Sequence, residues 1–173
     1  MKYLIIFLLC ASSAFCELGG VNGVAVEVNA HFVGSADSIS YTPTVAKDVF
    51  TKLVPVMVSH EADYITFGGD TLTIQAGHIG DYTIQISVRM SGSNANDIWQ
   101  IKVYKNAVKM PTSIGQFIFR TTSAGLADTK SYFWYLQDLA EGDDISFYVT
   151  NLSASRNPTF DDFKIMMIKI MGE

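Results

Sequence analysis

Three histidines (His31, His60 and His78) and two acidic pairs (Asp143-Asp144 and Asp161-Asp162) are the side chains with which this chain could do chemistry. A zinc centre needs three or four converging ligands. These histidines are scattered, with neither His-x-His nor HExxH spacing, so we read them as surface or loop imidazoles. Gly77-His78-Ile79-Gly80 reads as a turn entering a strand. The acidic pairs, with Glu141 beside the first, could offer calcium the oxygen ligands it prefers. There is no DxDxDG loop, however, and turn capping is the reading we adopt. A serine hydrolase would need a GxSxG elbow before a helix, and neither is present. Phosphate loops and dinucleotide fingerprints are absent as well. Glycoside hydrolysis needs two carboxylates across a cleft; any β-sandwich offers such pairs, so a carbohydrate-active enzyme remains an alternative without a nominated residue. The expectation is a non-enzyme with no catalytic residue, no metal and no cofactor.

Composition narrows the partners. The net charge is −5 and no run of Lys or Arg occurs, which argues against nucleic acid. With 49% hydrophobic residues the chain is not a disordered one. It opens MKYLIIFLLCASSAFC, with Lys2 before an apolar run and small residues after it, the grammar of a signal peptide over residues 1–16. The run is shorter than the roughly 20 residues that span a bilayer. Ala14-Phe15-Cys16 and Ser12-Ser13-Ala14 both fit cleavage. A lipidated Cys16 and a retained N-terminal anchor are the competing readings, and membrane contact is expected only through an uncleaved leader. Both cysteines, Cys10 and Cys16, lie in that leader, so a chain from Glu17 has no disulfide. Secretion or cell-surface display is expected, with a virion as the alternative.

Residues 17–36 read as a flexible Gly-rich lead-in followed by a first strand, Val24 to Gly34. Residues 37–173 read as one β-domain. Val45 to His60 is ambiguous: Val45, Ala46, Val49, Phe50, Leu53 and Val54 have helical spacing, but Pro43, Pro55 and the β-branched content favour short strands. Tyr64 to Phe67 and Leu72 to Ile74 read as strands joined through Gly68-Gly69-Asp70. Tyr82, Ile84, Ile86 and Val88 form one face of the next strand; Trp99, Ile101 and Val103 one face of the strand after the SGSNAND loop. Lys105-Asn106-Ala107 is a turn. Phe117 and Phe119, Tyr132 to Leu136, Ile145 to Val149 and Phe163 to Met171 complete the series, whose spacing suggests a sandwich or jelly roll.

Two strands are apolar on both faces. SYFWYL sets Tyr132 and Trp134 against Phe133 and Tyr135, and FKIMMIKIM sets Ile165 and Met167 against Met166, Ile168 and Ile170. A sandwich covers one face of a strand, and an apolar second face needs another chain over it. Tyr132, Trp134, Met166 and Ile168 are therefore candidates for an interface between copies of this chain.

The order Gly80-Asp81-Tyr82, Lys105-Asn106, Leu139-x-x-Gly142-Asp143 and a Phe163-led last strand resembles C1q/TNF-like domains, in the stalkless form of bacterial and phage proteins, over about Ser40 to Met171. The resemblance implies a ten-strand jelly-roll β-sandwich, a homotrimer, and inner-sheet positions for the strand of Tyr132 to Leu136 and the last strand. It implies structural turn roles for Gly80, Asn106, Gly142 and Asp143. It carries over no ligand-binding residues, the collagen stem is missing, and Ala107 stands where glycine often follows the turn asparagine.

The leading expectation is an exported trimeric recognition or adhesion head binding a surface ligand, protein or glycan. Its polar loops Ser91 to Asp97 and Asn151 to Asn157 would do the touching, through Ser93, Asn94, Asn96, Asn151, Ser153 and Arg156. A structural virion component, a fibre head or capsid decoration, is the alternative. Trp99, Trp134 and Tyr148 could stack on sugars, but alternating aromatics are read first as core. Asn151-Leu152-Ser153 is a glycosylation sequon, while Pro158 disqualifies Asn157.

Overall fold

Alternation dominates the chain, and each long alternating run becomes a strand with one face in a common core. The computed structural model describes residues 31–35, 41–54, 58–68, 70–110 and 116–171. The leader, the lead-in and the Val24 to Ala30 part of the expected first strand lie outside the described residues.

The described strands are β1 His31–Ser35, β2 Thr51–Lys52, β3 Val58–Asp63, β4 Ile65–Phe67, β5 Leu72–Ile74, β6 Gly80–Gly92, β7 Ile98–Lys105, β8 Val108–Lys109, β9 Gln116–Arg120, β10 Asp128–Leu139, β11 Asp144–Asn151 and β12 Pro158–Met171. They form two antiparallel sheets. The first runs β10-β6-β12-β1-β3 and the second β4-β5-β11-β7-β8, with β2 added to β11 and β9 to β7. β8 and β9 lie along the same partner as one interrupted edge strand, and β2 is a two-residue addition. Counted so, the two sheets hold the ten strands of the jelly roll. β1 is hydrogen-bonded between β12 and β3 and so belongs to the first sheet. The Val45 to Val54 stretch takes no helix: Val45 and Leu53 enter the core, Val49 and Val54 face solvent, and β2 pairs with β11.

The core lies between the sheets. Tyr82, Ile84, Ile86, Val88 and Met90 of β6 are fully buried, as are Trp99, Ile101 and Val103 of β7. Ile145 and Val149 of β11 and Phe163, Ile165 and Met167 of β12 add further apolar side chains. Phe147 of the second sheet meets Phe163 of the first edge to face, with centroids 5.9 Å apart, which suits the ring quadrupoles. At the β7–β8 turn both Asn106 and Ala107 have positive φ, 50° and 60°. That is the backbone of a hairpin turn whose twist matches its strands. Ala107 there accepts a conformation that costs about 1–2 kcal/mol for a residue with a Cβ.

Gly92, at the end of β6, marks the tightest approach. A Cβ there would meet Thr121 Cγ2 at 2.8 Å and Trp99 Nε1 at 3.2 Å. Gly92→Ala is expected to destabilise the domain by about 1–3 kcal/mol through overpacking, read from the midpoint of urea unfolding. Gly68→Ala, whose new methyl would meet only Thr71 O at 3.9 Å, is expected to stay within about 0.5 kcal/mol. Equal losses at the two positions would refute the close-packing account.

Candidate interaction site

The two ends of the sandwich and the outer face of the first sheet hold the groups that the core does not use. At one end the turn residues converge. Asp143, almost fully buried, receives Lys105 Nζ at 2.6 Å, Asn106 Nδ2 at 2.6 Å and the Ala140 amide at 2.7 Å. Asn106 also accepts the Asp144 amide at 2.8 Å, which ties the β7–β8 turn to the start of β11. Burial acts to raise the Asp143 pKa, but Lys105, the Ala140 amide and Asn106 outweigh it and hold the carboxyl below the usual carboxylate range. Gly142 sits at φ +78°, a backbone that favours glycine, and its amide reaches Ile74 O at 2.9 Å. Gly80 pairs with Leu139, and the neighbouring Asp81 accepts the Asp138 amide at 2.9 Å and the Tyr135 hydroxyl. Those bonds, the tyrosine's first, lower the Asp81 pKa. Gly80, Asn106, Gly142 and Asp143 thus meet around one corner, where the Asp143 carboxylate holds the turns; the Asp144 carboxylate instead accepts Thr73 Oγ1 at 2.5 Å across the β5–β11 pair. Nearby, His78 stacks on Tyr64 with centroids 3.7 Å apart, and its carbonyl accepts the Tyr82 hydroxyl at 2.5 Å. Burial pushes the Tyr82 phenol up to about 12. Among the described residues no three His, Cys, Asp or Glu side chains group as a metal site.

The opposite end brings together the loops between β6 and β7 and between β11 and β12. Arg156 Nη1 donates to Asp97 Oδ1 at 2.6 Å, the Ile98 amide donates to Ser153 Oγ at 3.1 Å, and the Leu152 amide reaches Ile98 O at 2.8 Å. Asn96, at φ 65°, accepts Arg120 Nη2 at 3.0 Å through its side-chain oxygen. Thr121 Oγ1 donates to Asn94 O at 2.8 Å. Two partners of this apex had no signal in the sequence. Thr121 comes from the β9–β10 loop, and the segment before β2 supplies the Val45 and Lys47 amides to Asn157 Oδ1 and Ser155 Oγ at 2.9 and 3.0 Å.

The expected binding residues divide here. Ser93, Asn94, Asn96 and Ser153 are exposed. Asn151 is fully buried, and its oxygen accepts the Ser153 and Ala154 amides at 2.7 and 3.0 Å. It therefore folds the loop rather than facing a partner, and being the asparagine of the sequon it leaves that sequon enclosed. Arg156 is partly exposed but is held by Asp97, which is 1% exposed.

The outer face of the first sheet carries two rows of side chains. Phe133, Gln85 and Met166 stand opposite one another across β10, β6 and β12, and Tyr135, Thr83 and Ile168 form the next row. Phe133 is 64% exposed and Tyr135 37%, while Met166, Ile168 and Ile170 are half-buried. Of the four interface candidates, Met166 and Ile168 lie on this face. Trp134 points the other way, 8% exposed in the core, with Tyr132 packed against that core. Leu136, fully buried, shares the Trp134 face, so Phe133 and Tyr135 face out, a choice between two apolar faces that the sequence does not signal.

No family model matches the sequence, and no curated protein matches it at a significant level. Solved structures do. The globular domain of zebrafish complement 1qA protein superposes with a TM-score of 0.54 at 11% identity, over 84% of this chain and 99% of that one. PRD1 vertex protein P5 gives 0.51 at 16% identity, over 84% and 99%. Murine APRIL at pH 5.0 gives 0.50 at 13% identity, over 81% and 99%. The fold is the C1q/TNF-like jelly roll. At such identities the likeness carries the architecture, and the side-chain networks above are this chain's own.

Within this C1q/TNF-like frame the two carboxylates make different demands. Arg156→Ala strands the buried Asp97 charge and is expected to cost about 3–5 kcal/mol, whereas Asp97→Asn, which removes the charge but keeps the shape, costs clearly less. Chemical unfolding compares them, and the reverse order would refute the buried-charge account. Asp143→Ala is expected to cost about 1–3 kcal/mol by orphaning Asn106 and the Ala140 amide. The lowered folded pKa of Asp143 gives stability that is complete above the unfolded value of about 3.9. It is lost as pH falls through the folded value, so the variant's stability should fall less steeply with acid than the parent's.

Proposed function

We propose that this jelly roll is a non-enzymatic recognition module that self-associates as a homotrimer and binds a surface partner, protein or glycan, at its apex loops. The observation that carries the self-association is the pair of rows Phe133–Gln85–Met166 and Tyr135–Thr83–Ile168 on the outer face of the first sheet. An aromatic side chain of this kind buries about 150–250 Å² when covered, and a stable interface totals about 1,000 Å² or more. Phe133 and Tyr135 are therefore anchors that a second copy would cover. The threefold count rests on the resemblance to C1q/TNF-like domains. Three apex sites held rigidly together would gain avidity without further contacts, with Ser93, Asn94, Asn96 and Ser153 as the exposed contact groups. The leader sequence supports export, to the cell surface or the medium.

The likeness to PRD1 vertex protein P5 supports a second reading. In it the same face knits the domain into a virion assembly, and the apex serves attachment.

The solution mass of the chain from Glu17, measured by light scattering over a dilution series, tests the assembly. Three copies are expected for the parent. Phe133→Glu and Met166→Lys are expected to weaken association by at least about 2 kcal/mol, the scale of an interface hot spot, and to leave monomers that still unfold cooperatively. Trp134→Glu, by contrast, should damage the fold itself. Trimers that survive both outer-face changes would overturn the proposed interface.

A further inference from the structure

The outer face of the second sheet holds a cluster that the proposed function does not use. Along β7 the inward residues are Trp99, Ile101 and Val103, so Lys102 and Tyr104 point outward. Lys102 pairs with Tyr148 of β11, and Tyr104 pairs with Lys109 of β8, which sets all four on one face. Phe50, just before β2, leans over them. Lys102 Nζ lies 5.3 Å and Lys109 Nζ 5.2 Å from the centre of its ring. Tyr104 and Tyr148 stack beside it with centroids 3.9 Å apart, and Phe50 meets Tyr104 at 6.2 Å. Lys102 is 3% exposed although it is outward-facing. Among the described residues neither ammonium has a carboxylate partner, whereas the neighbouring Lys52 has Asp70 at 2.8 Å.

Two ammonium groups sharing one aromatic face repel each other, and one ring gives each only modest compensation. A buried cation without an acid is a costly arrangement. Burial, and then the nearby Lys109, lower the pKa of Lys102 to about 8. In a chain of net charge −5 this is an uncompensated positive spot. A single oxyanion between the two ammonium groups would relieve both the repulsion and the missing hydrogen-bond acceptors.

We propose that Lys102 and Lys109 form an oxyanion site on the outer face of the second sheet, taking one sulfate, phosphate or carboxylate group. The half-buried ring faces of Phe50, Tyr104 and Tyr148 fit an acidic sugar as carrier, its C–H face on a ring and its charge between the lysines. The site is separate from the apex and stands whether or not the chain assembles.

Inorganic sulfate is the probe, titrated into the whole chain at constant ionic strength while the lysine Cε resonances are followed by NMR. Saturable shifts are expected at Lys102 and Lys109 and none at Lys130, which has Asp128 at 3.1 Å. Lys109→Gln, at an exposed position, should weaken binding at least tenfold while the domain stays folded. Affinity should fall between pH 7 and 9 as Lys102 loses its proton. The groups facing it are Lys109 of β8, Tyr104 of β7, Tyr148 of β11 and Phe50, with the Lys52–Asp70 pair at the β11 edge. Shifts that follow ionic strength alone, or that survive Lys109→Gln, would overturn the site. A sulfated monosaccharide should bind more tightly than inorganic sulfate; equal affinity would overturn the sugar carrier and leave a free-anion site.

Discussion

A strand presents alternate side chains to opposite faces, and a two-layer sandwich can bury only one of them. In this chain that constraint sorts nearly every residue of interest. β6 obeys it in the simplest way, with five apolar side chains fully buried and Thr83, Gln85, Ser87 and Arg89 on the other face. Its neighbours β10 and β12 do not, because both faces of each carry large apolar groups. The core takes Trp134, Leu136, Ile165 and Met167. Phe133, Tyr135, Met166 and Ile168 are left over on the outside, where the strand order places them on either side of polar β6. The surface we assign to assembly is thus the remainder of core formation.

The sandwich ends follow a second constraint, that polar groups taken from water need partners. One end answers it by bringing two turns together: Asp143 is enclosed by the Ala140 amide of its own turn and by the Asn106 side-chain amide and Lys105 ammonium of the β7–β8 turn. The other answers it with long-range bonds. Asp97 depends on Arg156, 59 residues away, and Asn157 and Ser155 accept the Val45 and Lys47 amides from the segment before β2. The first end is a fixed corner of the scaffold. The second is a platform assembled from four separate stretches, whose exposed Ser93, Asn94, Asn96 and Ser153 stand on a backbone held by buried neighbours.

Charge adds the third layer. The acidic side chains are largely engaged, Asp70 with Lys52, Asp97 with Arg156, Asp143 with Lys105. The lysine pair over Phe50 stands apart from this pattern, and its two ammonium groups are what would offset the water an acidic ligand gives up there.

The sequence by itself determined the fold class, the inner faces of β6, β7 and β11, and the turns. Alternation and turn chemistry are local, and a period of two is readable wherever one face is buried. It was also enough to mark β10 and β12 as apolar on both faces. It could not say which face went inward, because two apolar faces look alike until the partner sheet is present. Leu136 and the packing of Trp134 settled that, and they moved the outer surface to Phe133 and Tyr135. Asn151 shows the same limit at the apex: a polar residue in a polar loop reads as exposed until its backbone partners enclose it. The convergence of Lys102 and Lys109 was decided only in three dimensions. Their meeting depends on β8 folding back along β7 and on Phe50 crossing β11, and no local pattern records a contact between residues so placed.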